Sequence, residues 1–172
     1  MPLSIHDALV PGWLQILHAS HGWLEKARES GIPEAELVEA RLIADMLPLA
    51  YQVKSMAVHS SGAIEGLRAG SSSPDRSEPP CTIAGLGQCL DGAIAFLEAV
   101  TADELERLAD KAMVFTIRDR RLDFTGAGFL LSFSQPNFFF HAVTAYDILR
   151  MRGVEIGKRD FLGPAWLQPA PR

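Results

Sequence analysis

The strongest constraint in this chain is the spacing of its apolar residues, which return every three or four positions along most of its length. Leu9, Trp13, Ile16, Leu17, Ser20 and Leu24 recur at the i, i+3, i+4 intervals of one buried helix face. They predict a first helix from roughly Ile5 to Glu29, kinked or started late by Pro11 and ended by Gly31. Pro33 suits a first helical position, with Glu34 and Glu36 in the first turn. The stripe Val38, Leu42, Asp45, Leu49 and Met56 then predicts a second helix to about Leu67, bent at Pro48. Ile83, Leu86, Leu90, Ala93, Ile94 and Leu97 predict a third, from Thr82 to about Val100. A fourth runs from Gly126 to about Arg152, capped by Thr125 and closed by Gly153.

The segments between these helices read differently. "GSSSPDRSEPP", Gly70 to Pro80, has the composition of a solvated, mobile loop. "TADE" places Thr101 as N-cap and Glu104 three residues on, a capping box for a short helix. Phe115, Ile117, Leu122 and Phe124 alternate with polar neighbours around Asp119-Arg120, which predicts a small hairpin over about 113–125 packed on the helices. The tail, about 154–172, has no period but carries Ile156, Phe161, Leu162, Trp166 and Leu167, so it is expected to pack on something. The fold class expected is all-α: a single domain over 1–172, built as a four-helix bundle with a hairpin insertion before the last helix.

At 172 residues and 48% apolar content the chain can bury a real core. Its net charge of -5 argues against nucleic acid or an anionic membrane as the main partner. No secretory signal and no membrane-length apolar run is apparent. Cys81 and Cys89 form no CxxC motif, so a reduced cytoplasmic setting fits best, and the composition suits a bacterial cytosol.

Chemistry is suggested by polar groups on an apolar face. Leu130, Phe133, Asn137, His141, Thr144 and Ile148 fall within about 80 degrees of helical arc. Asn137, His141 and Thr144 therefore face the core, while Arg41, Asp45 and Gln52 lie on or beside the stripe of the second helix. Buried polar groups need partners, so these six are expected to meet between the second and last helices. One reading is a structural network, with Arg41 on Asp45 and His141 donating to a carboxylate. Another is a small-molecule pocket. A third is a divalent-metal site (zinc or nickel) of Asp45, Asn137 and His141, although zinc prefers two or more His or Cys ligands. His6 and His21 sit near the inward edge of the first helix, and His18 and His59 read as solvated. Cys81 and Cys89 read as small hydrophobes. Phe139 and Tyr146 lie nearly opposite His141, so the last helix is covered on several sides by the hairpin, the tail or a second subunit. A homodimer is the expectation.

"ARLIADMLPLAYQV", "LDFTGAGFLLSF" and "QPNFFFHAVTAYDILRMRGVEIGKRDFLG" resemble the DUF1993 family, a domain of unknown function grouped with the DinB/YfiT-like four-helix bundles. The resemblance covers essentially the whole chain. It implies the bundle fold and makes dimerisation a common outcome. Metal-binding members of the wider group, often called metalloenzymes, are similar in using one histidine of the second helix and an HxxxH pair of the last. Here the pair reads Asn137-xxx-His141, and Asp45 stands on the second helix. The functions in view are three: a small-ligand-binding or stress-related accessory protein, a metal-dependent hydrolase or transferase using Asp45, Asn137 and His141, and a protein-interaction module.

Overall fold

The computed structural model describes residues 3–164. Ser4 caps the first helix, α1 (Ile5–Glu29), by accepting from Asp7 N at 3.0 Å. That cap fixes the start ahead of Pro11, so the helix runs through the proline rather than beginning after it. All six residues of the expected stripe are buried, Trp13 and Leu17 completely.

The second expected helix is instead three pieces: α2 (Glu34–Val38), α3 (Leu49–Val58) and α4 (Ser61–Ala69). Residues 39–48 are irregular, and Pro48 is the extended N-cap of α3 (φ −71°, ψ 169°). The cause is steric. Proline has no N–H for the carbonyl four residues back, and its ring disfavours helical backbone at Leu47. A second break falls at His59–Ser60, where Ser60 leaves helical geometry (φ −117°, ψ −88°) and its hydroxyl donates to Met56 O at 2.7 Å. The stripe divides accordingly: Val38, Leu49 and Met56 are buried, while Leu42 and Asp45 are exposed.

Gly70, in the left-handed region (φ 79°), turns the chain out of α4 into β1 (Ser71–Ser72). Beyond the loop, α5 (Ile83–Glu98) is capped by Thr82 and buries its whole expected face. In α6 (Ala102–Leu108) the capping box is half made. Thr101 accepts from Glu104 N, but the Glu104 carboxylate accepts from Arg68 Nε at 2.6 Å instead of returning to the cap. The hairpin is β2 (Ala112–Ile117) and β3 (Arg120–Thr125), antiparallel with Phe115 opposite Leu122. β1 adds a third, parallel strand on β2.

Thr125 caps one continuous helical run: α7 (Gly126–Gly128), a π-helical stretch (Phe129–Ser134) and α8 (Gln135–Met151). Pro136 cannot donate to the carbonyl four residues back, and the wider π turn relieves that crowding. A Cβ at Gly126 would stand 2.0 Å from Leu108 O, so only glycine lets this run start against the end of α6. The C-terminal segment folds onto α1 through α9 (Lys158–Leu162): Trp23 Nε1 donates to Asp160 O at 2.8 Å and its ring stacks on Phe161. Phe161 also meets Tyr146, so this segment covers the far side of α8. Trp166 and Leu167 lie outside the described residues.

The molecule is thus mostly helical with a small three-stranded sheet. α1 packs on α5 and α8, and α3 packs on the same two helices, around one apolar core. No single described helix is long and apolar enough to cross a membrane.

Candidate functional site

A cavity of about 380 Å³ opens where α3 faces the last helical run beneath the hairpin. Tyr51, Ser55 and Val58 line it from α3, Phe129, Phe133, Asn137 and His141 from the last run, and Phe115, Ile117 and Leu122 from the strands. The π-helical stretch brings Phe129 and Phe133 together, with ring centroids 5.4 Å apart, and Phe133 lies 4.6 Å from Phe115. His59, the C-cap of α3, also lines the wall. Its ring lies nearly parallel to His141, at 5.5 Å and 14°.

His141 is held from behind. Its Nδ1 lies 2.7 Å from Gln52 Oε1, and Gln52 Nε2 donates to Leu47 O at 2.8 Å. Gln52 is buried and does not line the cavity. Burial holds both imidazoles down at about 4, with the His59 charge adding to the effect at His141. Both rings are therefore neutral near pH 7.

Lys54, buried on α3, reaches a strap of loop. Its Nζ lies 3.0 Å from Asp75 Oδ2 and also donates to Ser77 O. Burial pushes the Asp75 carboxyl up, but hydrogen bonds from Ser77 and Lys54, with the Lys54 charge, outweigh it and leave the group below its ordinary range. The strap therefore has fixed anchors where the composition suggested only a mobile loop. A more open cleft of about 520 Å³ shares Lys54, Val58, Ser72, Ser73 and Asp75 with the cavity and has Cys89 in its wall. The smaller cavity is the better candidate because it is more enclosed and holds the paired histidines.

Of the six residues expected to meet, Gln52 and His141 do bond. Asn137 lines the same cavity, with its Nδ2 donating to Phe133 O at 2.7 Å. Thr144 is buried but donates to Phe140 O in its own helix. Arg41 and Asp45 are exposed on the irregular segment, and Arg41 Nη1 donates to Met46 O at 2.7 Å. No pairing of Arg41 with Asp45, or of His141 with a carboxylate, occurs among the described residues. Pro48 is the reason: by ending the helical register it removes positions 41 and 45 from the face that carries Gln52. His59 corrects the opposite error, since it is a cavity wall rather than a solvated residue. The spacing of Tyr51, Ser55, Val58 and His59 at i, i+4, i+7, i+8 could have revealed it.

The DUF1993 family model, described as a domain of unknown function, matches residues 5–162. The chain belongs to the DUF1993 family. This DUF1993 protein is also similar to a DinB family member protein from Shewanella denitrificans, known from its crystal structure. The two are 26% identical, the match covers 96% of this chain and 95% of that one, and the TM-score is 0.79. No curated protein matches.

A metal centre of Asp45, Asn137 and His141 would need these three to converge, and the exposed position of Asp45 on residues 39–48 removes it from the set. Among the described residues no group of three or more His, Cys, Asp or Glu is placed to hold a metal ion. The cavity offers two imidazoles, one amide and the Asp75 carboxylate, but that carboxylate is paired with Lys54 and does not converge with the imidazoles as the three or four donors of a zinc site do. The residues of this DUF1993 chain do not fit such a centre.

Proposed function

We propose that this DUF1993 protein is a DinB/YfiT-like four-helix bundle (α1, α3 with α4, α5, and the last helical run) that binds a small organic molecule in the cavity walled by His59 and His141. One observation carries the reading. Two uncharged imidazoles lie side by side on the wall of a partly enclosed, largely apolar cavity, and one of them is fixed from behind by a buried glutamine. An apolar cleft with a few convergent polar groups and displaced pKa values is the usual form of a small-molecule site. The test is a fragment titration followed by amide NMR. Shifts concentrated at Tyr51, His59, Phe133 and His141, and abolished by filling the cavity with Phe133→Trp, support the reading. Binding that ignores Phe133→Trp refutes it.

We also propose that a second copy covers the outer face of α8. Phe140, Val143 and Met151 are exposed there, and Leu42, Ile43 and Leu47 are exposed on the irregular segment. Exposed apolar surface of this kind favours association. Sedimentation should give a dimer that Phe140→Glu converts to monomer; a wild-type monomer at micromolar concentration contradicts this.

A further inference from the structure

We propose that Gln52 is the positioning residue of this cavity: by holding His141 as its Nδ1–H tautomer it presents Nε2 as a fixed hydrogen-bond acceptor, so the ligand taken is a neutral, planar molecule with an O–H or N–H donor. The proposal rests on the small-molecule reading above and names the ligand chemistry of the same site.

Leu47 O can only accept, so the Gln52 atom 2.8 Å from it must be the NH2 group. That leaves Gln52 Oε1 facing His141 Nδ1 at 2.7 Å. An amide oxygen cannot donate, so the proton of this bond belongs to Nδ1. A neutral imidazole protonated at Nδ1 carries a bare lone pair at Nε2. Among the described residues Nε2 has no hydrogen-bond partner, the one bond of the ring being made at Nδ1. His141 lines the cavity, so Nε2 is the ring nitrogen left for a ligand there.

The surroundings narrow the ligand further. Tyr51, Phe115, Phe129 and Phe133 line the cavity beside the two imidazoles, and such an aromatic wall suits a planar ring. Among the described residues an anion finds no free cation in the cavity wall, because Lys54, which also borders the cavity, is already paired with Asp75. An acceptor-only molecule would meet the Nε2 lone pair and leave it unpaired.

Two measurements on the full chain test this. The first is long-range 1H–15N NMR of the His141 ring in the free protein at pH 7. The expected spectrum is that of the Nδ1–H tautomer, lost or mixed in Gln52→Met, which offers Nδ1 no oxygen acceptor. A wild-type Nε2–H tautomer overturns the proposal without need of any variant. The second compares phenol with anisole, which has the same ring but no donor. Phenol should bind at least tenfold more tightly in wild type, with the preference reduced in Gln52→Met. Equal binding of the two overturns the ligand class while leaving the cavity as a site; binding of neither, with the tautomer as expected, overturns the small-molecule reading itself.

Discussion

Acid should weaken this protein well above the pH at which its carboxylates titrate, and the two cavity histidines set the size of the effect. Both are held at about 4 in the folded chain, against an ordinary 6.5. Between those values the unfolded chain binds protons that the folded chain refuses, so stability falls as pH falls. It is complete above pH 6.5 and is lost progressively as the pH approaches 4. At pH 5 the free energy lost is about 2 kcal/mol for each ring and about 4 kcal/mol for both, from the linkage relation. His141 is almost fully buried and His59 mostly so, which leaves little solvent screening to reduce these values. Carboxylates held low in the folded chain, among them Asp75, Glu104 and Asp160, lose their contributions only at more acid pH. Urea unfolding at pH 7.5 and pH 5.0, followed by the fluorescence of the buried Trp13 and Trp23, measures the difference. His59→Phe keeps a flat ring beside His141 and should remove about half of it, while effects shared by both proteins cancel. A wild type as stable at pH 5.0 as at pH 7.5, or a His59→Phe protein with the full loss, would refute the reasoning.

Other substitutions probe the frame. Gly126→Ala must push a Cβ away from Leu108 O, 2.0 Å off, and from Leu67 Cδ1, 2.9 Å off; it should cost about 3 kcal/mol, read as a lowered melting temperature. Asp45→Ala, at an exposed position, should change stability by less than about 0.5 kcal/mol and leave fragment binding intact; a large effect on either would return Asp45 to the site. Ending the chain at Gly153 removes the buried Val154 and Ile156 and uncovers Trp23 and Tyr146. About 3 kcal/mol or more should be lost, with increased dye binding to exposed apolar surface; an unchanged melting temperature would contradict a packed C-terminal segment.

The helices that carry most of the core were legible because their apolar spacing is unbroken and their caps are explicit. Ser20, a polar residue in the stripe of α1, is buried and donates to Ile16 O, so even that exception followed the pattern. The second helix was misread because its stripe continues arithmetically across Pro48, and periodicity carries no information about a missing N–H. That single error placed Arg41 and Asp45 in the core and concealed the break at Ser60 that aims His59 into the cavity. β1 was illegible for a different reason: two serines have no strand signature, and their pairing depends on β2 lying alongside. The Gln52–His141 contact was foreseeable from facing helical wheels. The spacing of His59 with Tyr51, Ser55 and Val58 marks its face, but its stacking on His141 depends on the helix end at His59–Ser60, which periodicity does not carry.

What occupies the cavity decides whether this protein binds a small planar molecule there. Crystals of the full chain soaked with a library of small planar fragments would show it. The expected result is density clustered between His59, Phe133 and His141, with a donor atom within hydrogen-bonding distance of His141 Nε2. Fragments bound only elsewhere on the surface, with the cavity closed or filled by side chains, would contradict the central claim.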